Sequence, residues 1–118
     1  MSRQYLGPFI NFQGRAREAM VFYHKVLGGK LDLQALRLEA DGAVIIATDG
    51  HPHYPATVGD NMAITVGGPD QDRLTKIFNN LAEGGKIKMP LAKQPRGGEV
   101  GWLTDRFGIN WTVNIEQA

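Results

Sequence analysis

Over residues 101–115, GWLTDRFGINWTVNI, two apolar runs face each other across a polar stretch. Trp102-Leu103-Thr104 and residues 111–115 are rich in aromatic and β-branched side chains, and Asp105-Arg106-Phe107-Gly108 between them offers an aspartate and a glycine suited to a turn. The pattern predicts a β-hairpin. A shorter version stands upstream, where residues 36–40 and 43–47 flank Asp41-Gly42. Asp-Gly between apolar runs is the strongest short-range hairpin signal a sequence carries.

Taken from the start, residues 5–12 form a short apolar segment that ends at Gln13-Gly14. Ala16, Ala19, Met20, Tyr23, Val26 and Leu27 then recur at helical spacing. Gly28-Gly29 suits the end of that helix, and Lys30-Leu31-Asp32-Leu33 alternates as a half-buried strand does. The theme returns with a strand over 62–66, Pro69 near the start of a helix bearing Leu74, Ile77, Phe78 and Leu81, and Gly84-Gly85 at its end. At an offset of 56 residues, Phe22 matches Phe78, Gly28-Gly29-Lys30 matches Gly84-Gly85-Lys86, and Leu31 matches Ile87. The turn glycines Gly42 and Gly108 differ by 66, so the first copy is ten residues shorter between helix and hairpin. The second copy fills that space with a strand over 87–91, a Pro95-Arg96-Gly97-Gly98 turn and a return strand from Glu99. The prediction is an α+β fold of two tandem βαβββ modules, residues 1–54 and 55–118, forming one domain whose first module is shortened.

Composition narrows the partners. A chain of 118 residues with 42% hydrophobic content can bury a core. Thirteen basic and twelve acidic side chains leave a net charge of +1, which gives no electrostatic case for nucleic acid or an anionic membrane. The absence of cysteine excludes disulfides, thiol nucleophiles and cysteine-based zinc sites, and suits a reducing cytosol. The first residues, MSRQYLGPF, lack the apolar core of a signal peptide, and no apolar run approaches a membrane span. A cytoplasmic protein is expected.

Four segments carry a likeness to a known family: PFINFQGRAREAMVFYHKVLGGKL, ALRLEADGAVIIATDG, FNNLAEGGKIKMPL and TDRFGINWTVNI, in that order. With two βαβββ units, they resemble the vicinal oxygen chelate superfamily of glyoxalase I and the bleomycin-resistance proteins. Within it they are most similar to the PhnB-like, or 3-demethylubiquinone methyltransferase-like, branch. The resemblance implies a cupped mixed sheet and, in many relatives, a divalent metal held by His, Gln or Glu on strands one, four, five and eight. Carried onto this sequence, those positions fall on Gly7 or Pro8, Ile46 or Ala47, Asn61 and Thr112. None is a usual ligand for such a metal, so no metal or other cofactor is expected. Nothing resembles a glycine-rich fingerprint for S-adenosylmethionine, so the methyltransferase label does not imply that chemistry.

The remaining chemical character lies in Asp49-Gly50-His51-Pro52-His53-Tyr54. Two histidines two apart, with Asp49 and Asp60 nearby, suit a metal or a proton exchange near neutral pH; a proline between them equally suits a rigid connector. His24 falls on the outward side of the first helix, and Asp105 suits its turn by bonding backbone donors. If a ligand binds in the cup, its expected neighbours are Ile10, Asn61, Trp102, Trp111 and Thr112. Three functions stay open. One is a binding protein for a small hydrophobic or aromatic molecule. A second is a metal-free enzyme of lyase, isomerase or transferase type using His51, His53 or Tyr54. The third is a pocketless module acting through a dimer surface. The short first module also predicts a narrower sheet with an exposed edge, and hence a homodimer.

Overall fold

The computed structural model describes residues 4–50 and 56–117. The chain divides into two units, Met1–Thr57 and Val58–Ala118. Each contains one helix and one four-stranded mixed sheet.

The first unit comprises β1 (Phe9–Asn11), α1 (Ala16–Leu27), β2 (Lys30–Asp32), β3 (Arg37–Ala40) and β4 (Ala43–Thr48). The second comprises β5 (Ile64–Gly68), α2 (Gln71–Ala82), β6 (Lys86–Lys93), β7 (Glu99–Thr104) and β8 (Asn110–Ile115). The strand orders are β1-β4-β3-β2 and β5-β8-β7-β6, the same topology twice. In each sheet the first strand lies parallel to the last and the other pairings are antiparallel.

The repeated Gly-Gly-Lys has a physical cause. Gly28 and Gly84 take φ of 77° and 78°, ending their helices in the left-handed region. A Cβ on the glycine that follows would strike a strand carbonyl, that of Glu39 behind Gly29 and that of Thr104 behind Gly85. Each pair therefore lets a helix turn back closely onto its own sheet, and Lys30 and Lys86 then open β2 and β6.

The expected narrowing of the first sheet is not found; both sheets have four strands. The shortfall is in length, with β2 having 3 residues against 8 in β6 and β3 having 4 against 6 in β7, and the rest lies in the turns. Asp32 makes the tight reversal possible, because its Oδ1 accepts from the backbone N–H of Gln34 (3.0 Å) and Ala35 (3.2 Å). Three residues on each side of that turn suffice for a ladder. The next turn places Asp41 and Gly42 at φ 53° and 79°, as a two-residue hairpin requires.

The helical stripes are buried as their spacing implies. Ala16, Ala19, Met20, Tyr23 and Leu27 are buried on α1, and Leu74, Ile77, Phe78 and Leu81 on α2. Val26 is only half-buried. Tyr23 stacks at a tilt against Phe12 and Phe22, with ring centroids 5.9 and 5.7 Å apart. On α2, Asp70 caps the first turn by accepting from Arg73 N–H at 3.1 Å. Helix α1 has no such residue at its start; Asp49, just beyond β4, supplies the cap instead. Its Oδ1 accepts from Gly14 N–H at 2.9 Å and Ala16 N–H at 2.7 Å. Asp49 thus has a structural role at the start of α1. No helix among the described residues is long and apolar enough to cross a membrane.

Candidate functional site

Partners across a ladder point to the same face of a sheet, so register sorts the candidate residues. In the second unit, Gly101 opposes Val113 and Leu103 opposes Trp111. These residues face α2: the Phe78 ring lies where a Cβ on Gly101 would be, 2.5 Å from its Cε1. On the other face, Trp102 opposes Thr112, and Thr112 is in turn paired with Thr65 of β5.

Trp102 and Trp111 therefore sit on opposite sides of one sheet. Trp111 is 1% exposed, and its indole N–H donates to Asp105 Oδ2 at 2.9 Å. Asp105, itself 3% exposed, also accepts at Oδ1 from the N–H groups of Phe107 (2.8 Å) and Ile109 (3.0 Å). This carboxylate shapes the turn, as its place in the sequence suggests, and holds the core indole as well. Trp102, in contrast, is 44% exposed on an inner strand. Beside it are Met89, its partner on β6, and the hydroxyls of Thr65 and Thr112, 2.8 Å apart.

Asn61 is exposed and lies just before β5. The neighbouring Met62 carbonyl is tied to the start of β8 by Asn110 Nδ2 at 3.2 Å, and Asn110 Oδ1 accepts from Thr104 Oγ1 at 2.7 Å. The structure thus brings Trp102 and Thr112 together on one face and sets Trp111 apart from them. Ile10, in the first unit, shares a face with Ala47, Ile45 and Leu38, the buried side on which α1 packs. His51, His53 and Tyr54 lie outside the described residues. His24 is half-buried, with Nε2 3.2 Å from the Gly29 carbonyl oxygen.

Sequence reasoning missed Thr65, Met89 and Asn110. The parallel pairing of β5 with β8 puts Thr65 next to Thr112, and no local pattern announces that pairing.

The superfamily's metal does not fit these side chains. Gly7 and Pro8 precede β1 and bring no side-chain donor, Ile46 and Ala47 are aliphatic, Asn61 precedes β5 and offers only a neutral amide, and the Thr112 hydroxyl already shares a hydrogen bond with Thr65. Among the described residues, no three His, Cys, Asp or Glu side chains cluster to hold an ion.

Two βαβββ units of identical strand order, each with a helix on one face of its sheet, define the glyoxalase/bleomycin-resistance fold class. A glyoxalase/bleomycin resistance protein from Albidiferax ferrireducens T118 shares that fold at a TM-score of 0.70 and 14% identity, over 94% of this chain and 98% of that one. A family model described as 3-demethylubiquinone-9 3-methyltransferase matches residues 29–114, and the chain belongs to that PhnB-like family. It is 32% identical to protein PA1353 from Pseudomonas aeruginosa, with a TM-score of 0.88 over 98% of this chain and all of that one. To the PhnB protein from Bacillus cereus it is 25% identical, with a TM-score of 0.77 over 95% and 99%.

Proposed function

We propose that this chain is a metal-independent PhnB-like protein that binds a small hydrophobic or aromatic molecule on the open face of its second sheet. The observation that carries the proposal is Trp102, an indole left substantially exposed on an inner strand, opposite the helix-packed face. Large flat apolar surface beside a few hydroxyls is what small-molecule sites use. A ligand ring stacks on the indole, its polar edge meets the Thr65–Thr112 hydroxyl pair, and Asn61 stands at the end of the sheet where β5 begins. Trp111 supports the site from the opposite face through the rigidity of β8, and Ile10 contributes to the core of the first unit. The mismatch at the superfamily's metal positions favours binding without a metal.

The test is titration with a panel of small aromatic compounds in the presence of a chelator. Trp102→Ala is expected to weaken an identified ligand by about tenfold or more, about 1.4 kcal/mol. Thr112→Ala and Asn61→Ala are expected to weaken it by smaller factors. Unchanged affinity in Trp102→Ala would place the ligand elsewhere.

We infer a homodimer as well. Support comes from β1, a three-residue edge strand on which Phe9 is 70% exposed, next to the exposed Leu6. Unpaired backbone groups beside apolar side chains favour pairing with another chain.

A further inference from the structure

The open face of the second sheet has a charge pattern as well as an indole. Strands β5 to β8 contain one carboxylate, Glu99, and three lysines, Lys86, Lys88 and Lys93. Glu99 opposes Ile115 on the helix-packed face and accepts from Gln71 Nε2 of α2 at 2.7 Å. No strand carboxylate therefore shares the face of Trp102. Lys86 does share it: it opposes Thr104, two residues from Trp102 along β7, about 7 Å away at strand spacing. Lys88 is the extra residue where the register shifts between Ile87 and Met89, and Met89 opposes Trp102. Neither Lys86 nor Lys88 has an ion-pair partner among the described residues. Lys93 opposes Glu99 and so belongs to the helix-packed face.

We propose that the molecule taken by the Trp102 face is a planar anion, an aromatic carboxylate whose ring stacks on the indole while Lys86 and Lys88 meet its charge. The proposal rests on the reading of that face as a binding surface and adds the ligand's charge to it. Lysine suits the task because its ammonium is a compact charge on a flexible stem, able to reach a carboxylate held over the neighbouring strand. With no strand carboxylate on that face, none of the strand residues there repels an anion or pairs with the two lysines. Exposed pairs are individually weak and screened by salt, so two lysines give a preference of about fivefold for the anion over its neutral isostere.

The experiment compares 1-naphthoate with 1-naphthamide, matched in ring and shape, by following the Trp102 indole N–H resonance of the full chain. Wild type is expected to bind the carboxylate about fivefold more tightly at low ionic strength, with the gap closing at about 0.5 M salt. The double variant Lys86→Gln, Lys88→Gln is expected to bind both compounds alike. Lys93→Gln, altered on the opposite face, is expected to keep the preference. Equal affinities in wild type, or a preference that survives in the double variant, would overturn the role of charge and leave Trp102 as a binding surface. If neither compound moves the Trp102 resonance, both the anion proposal and the binding surface fail.

Discussion

Replacing Asp105 with alanine takes an acceptor from three donors at once: the indole of Trp111 and the N–H groups of Phe107 and Ile109. The two amides lie in a partly buried turn, where water can replace the carboxylate, so each costs about 0.5 kcal/mol. The indole is 1% exposed and water cannot follow, so its N–H bears the desolvation penalty of a buried donor, about 1–3 kcal/mol. Asp105→Ala is therefore expected to destabilise the protein by about 2–4 kcal/mol, a large fraction of a typical domain's stability. Asp105→Asn should recover only part of this. One amide oxygen can still serve the turn, but the NH2 group then faces the indole N–H as a second donor. Urea unfolding followed by circular dichroism gives the free energies. A double-mutant cycle with Trp111→Phe isolates the indole bond, with an expected coupling of about 1 kcal/mol or more. A loss below about 0.5 kcal/mol for Asp105→Ala, together with a coupling near zero, would refute the assignment of Asp105 as the anchor of the core indole.

Asp49→Ala should cost about 1–2 kcal/mol by uncapping α1, and Asp49→Asn much less, as read by the same unfolding assay. Gly101→Ala should cost about 1–3 kcal/mol, because its methyl group enters the space of the Phe78 ring; a neutral result would mean that the ring moves freely aside. Elemental analysis after dialysis should find no stoichiometric metal; zinc, nickel, iron or manganese at one per chain would turn attention to His51 and His53. Light scattering coupled to size exclusion at low micromolar concentration should give about twice the 13.0 kDa chain mass, and a clean monomer would remove the dimer from the proposal.

Much of the fold was legible because its signals are local. Asp41-Gly42 marks its hairpin through backbone preference alone, and the helical stripes announce which face is buried. The repeated Gly-Gly-Lys exposed the tandem units because each pair answers the same steric demand, a helix returning close to its sheet. Alternation over residues 30–33 marked β2, but the full width of the first sheet was harder to read, because fitting β2 and β3 into so few residues depends on the turn held by Asp32. The capping of α1 by Asp49 spans 33 residues in the chain, a pairing that only the folded backbone makes apparent. The site was least legible where it depended on parity. Trp102 and Trp111 both look like pocket aromatics in the sequence, but register decides their faces. The Asp105 N–H bond to the Ile109 carbonyl, at 2.8 Å, closes the turn so that Trp111 meets Leu103 and Thr112 meets Trp102. A one-residue change in that turn would have exchanged the two faces.

The chain contains two tryptophans, and they provide the most direct test of a metal-free ligand site on the second sheet. In a ¹⁵N-labelled sample with a chelator present, two indole N–H resonances are expected, one from exposed Trp102 and one from Trp111 bonded to Asp105. Titration with small aromatic compounds should move the Trp102 resonance saturably while that of Trp111 stays nearly fixed. A compound that binds the protein and leaves Trp102 unmoved, or that moves it only after a divalent metal is added, would contradict the proposed site.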